Sequence, residues 1–275
     1  MMEPAERLVA SLINRVRINH VQQCVREGVA VFIKQRRTGS PAVIWFANQF
    51  LALAHSGVCM IVRADEWADW EIHCVRLLYP GRPAVKLGSS QAVIIPKVCG
   101  ISLKELLLRR ETNVNKAFIL AARELRRVHQ IQCSYYEAGW SHGDLHLDNI
   151  VCDLNAERVV LIDFDMRHEF QIGQTQRQSD DLKTVLLDLI GLADDKWIPL
   201  ATAFIEEYRE ASVLGELSRQ LFVPRGFARL LWYSRSNCSS IRRIEPRLQS
   251  LREIIHRLST AEGSSSDSNL FRDEA

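Results

Sequence analysis

Read by its apolar spacing, the chain alternates between helical and extended segments. Over residues 4–17, Leu8, Val9, Leu12, Ile13 and Val16 share one helical face, which predicts an opening amphipathic helix. From Ile18 to Arg36 the pattern becomes extended, and Glu27-Gly28 predicts a hairpin turn between two strands. Residues 38–62 carry no Lys, Arg, Asp or Glu. A membrane span is one reading of that stretch. Pro41, Asn48, Gln49, His55, Ser56 and Gly57 favour the other: a helix at about 41–56, followed by a strand. A peripheral membrane contact stays open. Residues 66–79 predict a helix with Trp70, Cys74, Leu77 and Leu78 on one face, ended by Pro80-Gly81. A strand is expected at 92–96, a helix capped by Ser102 with Glu105 three residues on, and a long helix at 115–130.

The stretch from Ser141 to Met166 organises the rest. Ile150 to Cys152 and Val159 to Ile162 are short apolar runs flanking a polar turn, so they predict a hairpin. A hairpin returns the chain on itself, which brings Asp144 and Asn149, before it, beside Asp163, at its end. Two carboxylates and an amide at one place suit phosphoryl transfer. A carboxylate can orient an attacking hydroxyl and accept its proton, and hard oxygen donors can hold the divalent metal of a nucleotide. The alternative is a solvated loop whose acids are turn formers; two ordered motifs around one hairpin weigh against it. Beyond the hairpin, Leu182, Val185, Leu186, Leu189 and Ile190 make an apolar helix face that starts at Asp180 and Asp181. Residues 197–258 read as helical with arginine patches, and the Ser-rich, acidic tail from Thr260 as disordered.

Composition narrows the picture. The 275 residues suffice for one bilobed domain or two small ones, and 47% hydrophobic with 25% charged residues is the balance of a soluble globular protein. A net charge of +2 gives no electrostatic footprint for nucleic acid. Seven cysteines are scattered singly without a CxxC pair, which predicts free thiols in a reducing compartment. No His/Cys set has zinc spacing and there is no GxSxG elbow. Residues 1–17 mix acids and arginines without an apolar core, so they do not read as a signal peptide.

HGDLHLDN (142–149) followed by LIDFD (161–165) resembles the protein-kinase pair HRDxxxxN and DFG, with Gly143 for the Arg and Asp165 for the Gly. Within that superfamily the two motifs look like the bacterial lipopolysaccharide kinases that act on Kdo or heptose; aminoglycoside and choline-type phosphotransferases share the HGDLHxxN form. The resemblance implies an α+β, protein-kinase-like bilobed fold with a small, mainly β N-lobe and a larger helical C-lobe. On that expectation the N-lobe spans 1–97 with an inserted helix, the C-lobe 98–259, and the tail 260–275. It implies Asp144 as the residue orienting the acceptor hydroxyl, and Asn149 and Asp163 as ligands of Mg²⁺. Lys34, ending the strand VAVFIK, resembles the lysine that holds the α/β-phosphates of ATP. Glu71 is the acid expected to fix it, with Glu66 and Asp69 as alternatives. The backbone from Pro96 through Val98 to Cys99 resembles a hinge that reads adenine. His142 is expected to brace the loop, His146 to touch substrate or fill the loop, His129 to be structural, and Asp181 (or Asp180) to hydrogen-bond the loop backbone. The glycine-rich phosphate loop is absent. The implied activity is ATP-dependent transfer to a hydroxyl of a glycolipid or another acceptor, at the cytoplasmic side of the inner membrane. An atypical Ser/Thr protein kinase, a small-molecule kinase and a non-catalytic binding module are the alternatives.

Overall fold

The computed structural model describes residues 18–87, 92–193, 196–237 and 239–267, with 261–267 as helix backbone only; the helix expected over 4–17 lies outside them. Strands β1 (Asn19–Arg26) and β2 (Val29–Arg36) pair antiparallel. Their turn has Glu27 at φ 50° and Gly28 at φ 78°, the left-handed pair that a two-residue hairpin requires. Helix α1 (Ser40–Leu53) follows, then β3 (Val58–Met60). Asn48, a polar residue in an apolar helix, has a structural task there. Its amide donates to the Met60 carbonyl and accepts from the Met60 N–H, each at 2.8 Å, so it anchors the strand. Ile44 and Leu51 face inward, while Val43, Trp45, Phe46 and Leu53 are exposed. Among the described residues no helix is long and apolar enough to cross a membrane.

Helix α2 (Ala64–Leu78) buries Trp67, Trp70, Glu71, Cys74 and Leu78. β4 (Val85–Lys86) and β5 (Ala92–Pro96) complete an antiparallel sheet of order β1-β2-β5-β4. Its register sets Lys34 opposite Val93 and Val31 opposite Pro96. After Gly100 come β6 (Ile101–Ser102), α3 (Leu103–Leu108) and α4 (Val114–His129). The Ser102 hydroxyl caps α3 by accepting from the Glu105 N–H at 3.2 Å. Short strands β7 (Gln132–Cys133) and β8 (Ala138–Gly139) lead to the expected hairpin, β9 (Ile150–Asp153) and β10 (Arg158–Leu161). The Asp153 carboxylate closes that hairpin by accepting from the N–H groups of Asn155 and Ala156. Strand β11 (Met166–His168) pairs with β3. The remainder is helical: α5 (Gln174–Leu192), α6 (Trp197–Tyr208), α7 (Ala211–Gln220), α8 (Phe227–Arg235) and α9 (Ile241–Asp267). The architecture is therefore α+β, mainly β toward the N-terminus and helical beyond, as the sequence predicts. The described cysteines are unpaired, also as predicted.

Two boundaries differ from expectation. Helix α5 begins at Gln174, so Asp180 and Asp181 lie in its second turn and are not its caps. The first turns carry polar side chains that point inward. Arg177 donates to the Gly139 carbonyl at 2.9 Å, and Gln178 to the His129 carbonyl at 2.7 Å. An apolar-periodicity reading cannot see a helix face buried through hydrogen bonds. Helix α9 runs to Asp267, so residues 260–267 are helical where a disordered tail is expected. Adding residues to an existing helix avoids the nucleation cost that a Ser-rich peptide alone would face. Residues 268–275 lie outside the described chain.

Gly100 has φ +125°, and a Cβ there would stand 2.4 Å from the Cys152 carbonyl oxygen. That approach lets β6 join β9. Gly100→Ala is expected to destabilise the protein by about 2 kcal/mol or more, lowering the melting temperature by roughly 5 °C in thermal unfolding.

Candidate active site

Lys34 lies on the face of β2 that is buried against α2. Its ammonium is 3.1 Å from Glu71 Oε2, 3.0 Å from Asp165 Oδ1 and hydrogen-bonded to Asp163. The two alternative acids are elsewhere: Glu66 faces Arg63 at 3.7 Å and Asp69 faces Lys86 at 2.9 Å. Of the three candidates, then, the structure brings only Glu71 to Lys34. Burial opposes the charge of Lys34, but Asp163, Asp165 and Glu71 outweigh it and hold the ammonium well above the usual lysine range. Glu71 is pushed up, first by burial, against the pull of Lys34, with Asp165 and Asp163 adding to the rise. Oxygens of Glu71, Asp163 and Asp165 lie within 4.8 Å of one another, a spacing that could hold a metal ion. The Lys34 ammonium hydrogen-bonds or ion-pairs with all three, so it is the cation of that cluster.

Asp163 follows β10 with φ 69°, a left-handed conformation that Asp tolerates better than most residues. The turn sends Asp163 and Asp165 toward Lys34 and the intervening Phe164 into the core. Phe164 is buried, with its ring centroid 5.2 Å from His142 and 5.9 Å from Trp140. Burial and the charges of Asp165 and Asp144 push the Asp163 carboxyl up, past the opposing pull of Lys34. The Ile162 N–H donates to the Asn149 carbonyl at 3.0 Å and His142 Nε2 to the Ile162 carbonyl at 3.0 Å, which ties the segment entering Asp163 to the loop bearing Asp144.

The loop before β9 is held from behind. Asp181 accepts from the His142 N–H at 2.7 Å, the Gly143 N–H at 2.8 Å and His129 Nε2 at 3.1 Å. His129 Nδ1 in turn lies 2.8 Å from the Tyr208 hydroxyl. His142 Nδ1 accepts from the Asp144 N–H at 3.3 Å, so its Nε2 carries the proton toward the Ile162 carbonyl, 3.0 Å away. Asn149 donates to the Asp144 carbonyl at 2.9 Å. Gly143 at φ +89° lets this backbone pass the Arg167–His168 peptide.

His146 stands between two acids, with Nε2 3.3 Å from Asp144 Oδ1 and Nδ1 3.7 Å from Asp188 Oδ2. Burial works against its charge, but Asp144 and Asp188 raise the imidazole to about 10. The return effect falls on Asp144. Burial alone would push that carboxyl up, yet the adjacent His146 charge and hydrogen bond, with Arg235, hold it below the usual range. Asp144 is thus an ionised acceptor at neutral pH. Pro96 and Val98 lie apart, at and beyond the end of β5. Pro96 is three residues along the ladder from the partner of Lys34, about 10 Å. The carbonyls of Pro96 and Lys97 face Arg82 at 3.4 and 3.3 Å.

Sequence reasoning gave Asp165 no role, although the structure sets it against Lys34. Its signal was the second acid of DFD itself, two residues from Asp163, which the turn at Asp163 brings to the same ammonium. Arg235 was likewise read only as part of a basic helix. It is buried, donates to Asp180 Oδ1 at 2.9 Å and approaches the Gly143 carbonyl at 3.4 Å. It also lines a cavity of about 520 Å³ with Asp180, Lys183 and Trp232.

No family model matches the chain, and no curated protein does. Among solved structures it is similar to an ethanolamine kinase of Plasmodium vivax, at 12% identity over 90% of this chain and 87% of that one, with a TM-score of 0.46.

Asp181→Asn removes a buried charge that holds two backbone donors and His129. It is expected to cost about 3 kcal/mol in urea unfolding. A variant as stable as the wild type would show that this network does not fix the loop.

Proposed function

We propose that the protein is an ATP-dependent phosphotransferase of protein-kinase-like architecture, moving the γ-phosphoryl group to a hydroxyl. The observation that carries this reading is the meeting of Lys34, Glu71 and Asp163 in one cluster, with the segment entering Asp163 hydrogen-bonded to the loop that bears Asp144. Asp144 accepts a hydrogen bond from the acceptor hydroxyl, aligns its oxygen and takes its proton. His146 keeps that carboxylate charged, and Asp181 keeps its backbone in place. Lys34, steadied by Glu71, holds the α- and β-phosphates. The Asp163 carboxylate and the Asn149 amide oxygen are hard donors that fit Mg²⁺. A bound Mg²⁺ supplies charge neutralisation on the transferring phosphates. The protein's share is positioning and electrostatics, with no covalent intermediate. The backbone from Pro96 to Cys99 is the adenine-facing segment in this proposal, and residue 98 begins the C-terminal lobe.

For the acceptor we propose a Kdo or heptose sugar of lipopolysaccharide, reached at the cytoplasmic face of the inner membrane. The combination HGDLHLDN and IDFD supports the sugar. The exposed face of α1, with Val43, Trp45, Phe46 and Leu53 and no charged residue along the helix, supports contact with a lipid surface.

ADP release with lipopolysaccharide core, and a mass increase of one phosphate on that core, test the reading. Asp144→Asn and Asp163→Asn are each expected to lower turnover by about 10²- to 10⁴-fold while the fold survives. Wild-type turnover by Asp144→Asn would overturn its role. Phosphate appearing on protein or on aminoglycoside or choline-type acceptors, and not on the glycolipid, would reassign the substrate. No turnover of Mg-ATP with any of them would leave a binding module.

A further inference from the structure

Asp163 and Asp165 both reach Lys34, but they are held very differently. Asp163 has a 43% exposed side chain, and among the described residues its side chain hydrogen-bonds only to Lys34. Asp165 is 16% exposed and tied on both oxygens. Its Oδ1 accepts from the indole N–H of Trp67 at 2.6 Å, and its Oδ2 from the Asn19 amide at 2.5 Å. Trp67 is fully buried on α2, and Asn19 opens β1. Asp165 is therefore fixed by the N-terminal sheet and the helix behind it, and presents one oxygen to Lys34 at 3.0 Å.

The proposed chemistry asks Asp163 to serve the metal. A carboxylate drawn to a divalent cation has less to give an ammonium, so Lys34 would lose one of three anions as nucleotide arrives. A buried ammonium left with too few partners is costly. We propose that Asp165 is a positioning residue that, with Glu71, keeps Lys34 aimed at the phosphates whether or not Asp163 engages the metal. Glu71 and Asp165 hold the ammonium from two different elements, α2 and the segment after β10, so its place does not depend on the exposed acid. The spare carboxylate also answers why this position carries Asp where protein kinases carry Gly. A glycine could not make any of these contacts.

This inference rests on the phosphotransfer reading, and binding measurements separate the two. The full chain is titrated calorimetrically with ATP, with and without Mg²⁺. Asp163→Asn should lose the Mg²⁺-dependent part of the affinity. Asp165→Asn should bind about tenfold more weakly under both conditions, the size of one lost charge-assisted contact. Asp165→Glu should recover most of that loss. Should Asp165→Asn fail to fold, Asn19→Ala, which removes one tether and no charge, should weaken binding about threefold, again with and without Mg²⁺. Binding equal to wild type in Asp165→Asn, or in Asn19→Ala where that variant stands in, overturns the inference alone. Loss confined to the Mg²⁺-dependent part makes Asp165 a metal ligand and also overturns it. Absence of any nucleotide binding by the wild type removes the phosphotransfer reading and this inference together.

Discussion

A buried ammonium must be compensated where it sits, and the place of Lys34 follows from that constraint. Moving an unpaired charge into the interior costs several kcal/mol, more than a single exposed ion pair returns. The compensation comes from Glu71 on α2 and from Asp163 and Asp165 after β10. Strand β2, helix α2 and the segment after β10 are thereby set relative to one another by one side chain. Trp67 closes the arrangement. Its ring covers the Arg36 guanidinium at 4.6 Å, and its indole N–H holds Asp165. The interior face of β2 can carry two cations because acids and an aromatic ring meet them there.

The same logic recurs one layer deeper. Asp180 and Asp181 are adjacent on α5 yet serve different partners. Asp181 takes backbone N–H groups of the loop and His129. Asp180 takes Arg235 and Lys183, at 2.9 and 2.6 Å, with His168 3.5 Å away. Helical geometry sends neighbouring side chains about 100° apart, so two consecutive acids can brace separate sides of one loop. Burial would raise both carboxyls; the cations and donors around them hold both below the usual range. The loop bearing Asp144 is braced from behind by supports that are ionic, hydrogen-bonded and buried.

What the sequence made legible was local. The β9–β10 hairpin, the Glu27-Gly28 turn and the Ser102 cap each depend on residues a few positions apart, and each is found where expected. The order of the motifs, with the hairpin between them, pointed to Asp144 and Asp163 as neighbours. Glu71 was the preferred partner of Lys34 among three acids, and helix phase is what separates it from Glu66 and Asp69. What stayed hidden was non-local or polar. The pairing of β3 with β11 joins residues about a hundred positions apart and leaves no periodic trace. The inward face of the first turns of α5 is made by Arg177 and Gln178, which a hydrophobic pattern assigns to solvent. Asp165 and Arg235 look like any surface charges until their partners are in place.

The tight β1–β2 turn bears on how a nucleotide would be held. A two-residue turn with no following glycines offers no flexible run of backbone N–H groups to wrap phosphates. On the proposed reading, contacts that other enzymes take from a loop fall here to side chains and metal. Side chains hold phosphates well only when their own positions are fixed beforehand, since freezing a lysine on binding forfeits up to about 2 kcal/mol of rotamer entropy. Lys34 meets that condition before any ligand arrives, because three carboxylates and a buried helix already confine it. A chain without a phosphate loop therefore has a physical reason to surround its lysine with more acid than one partner requires.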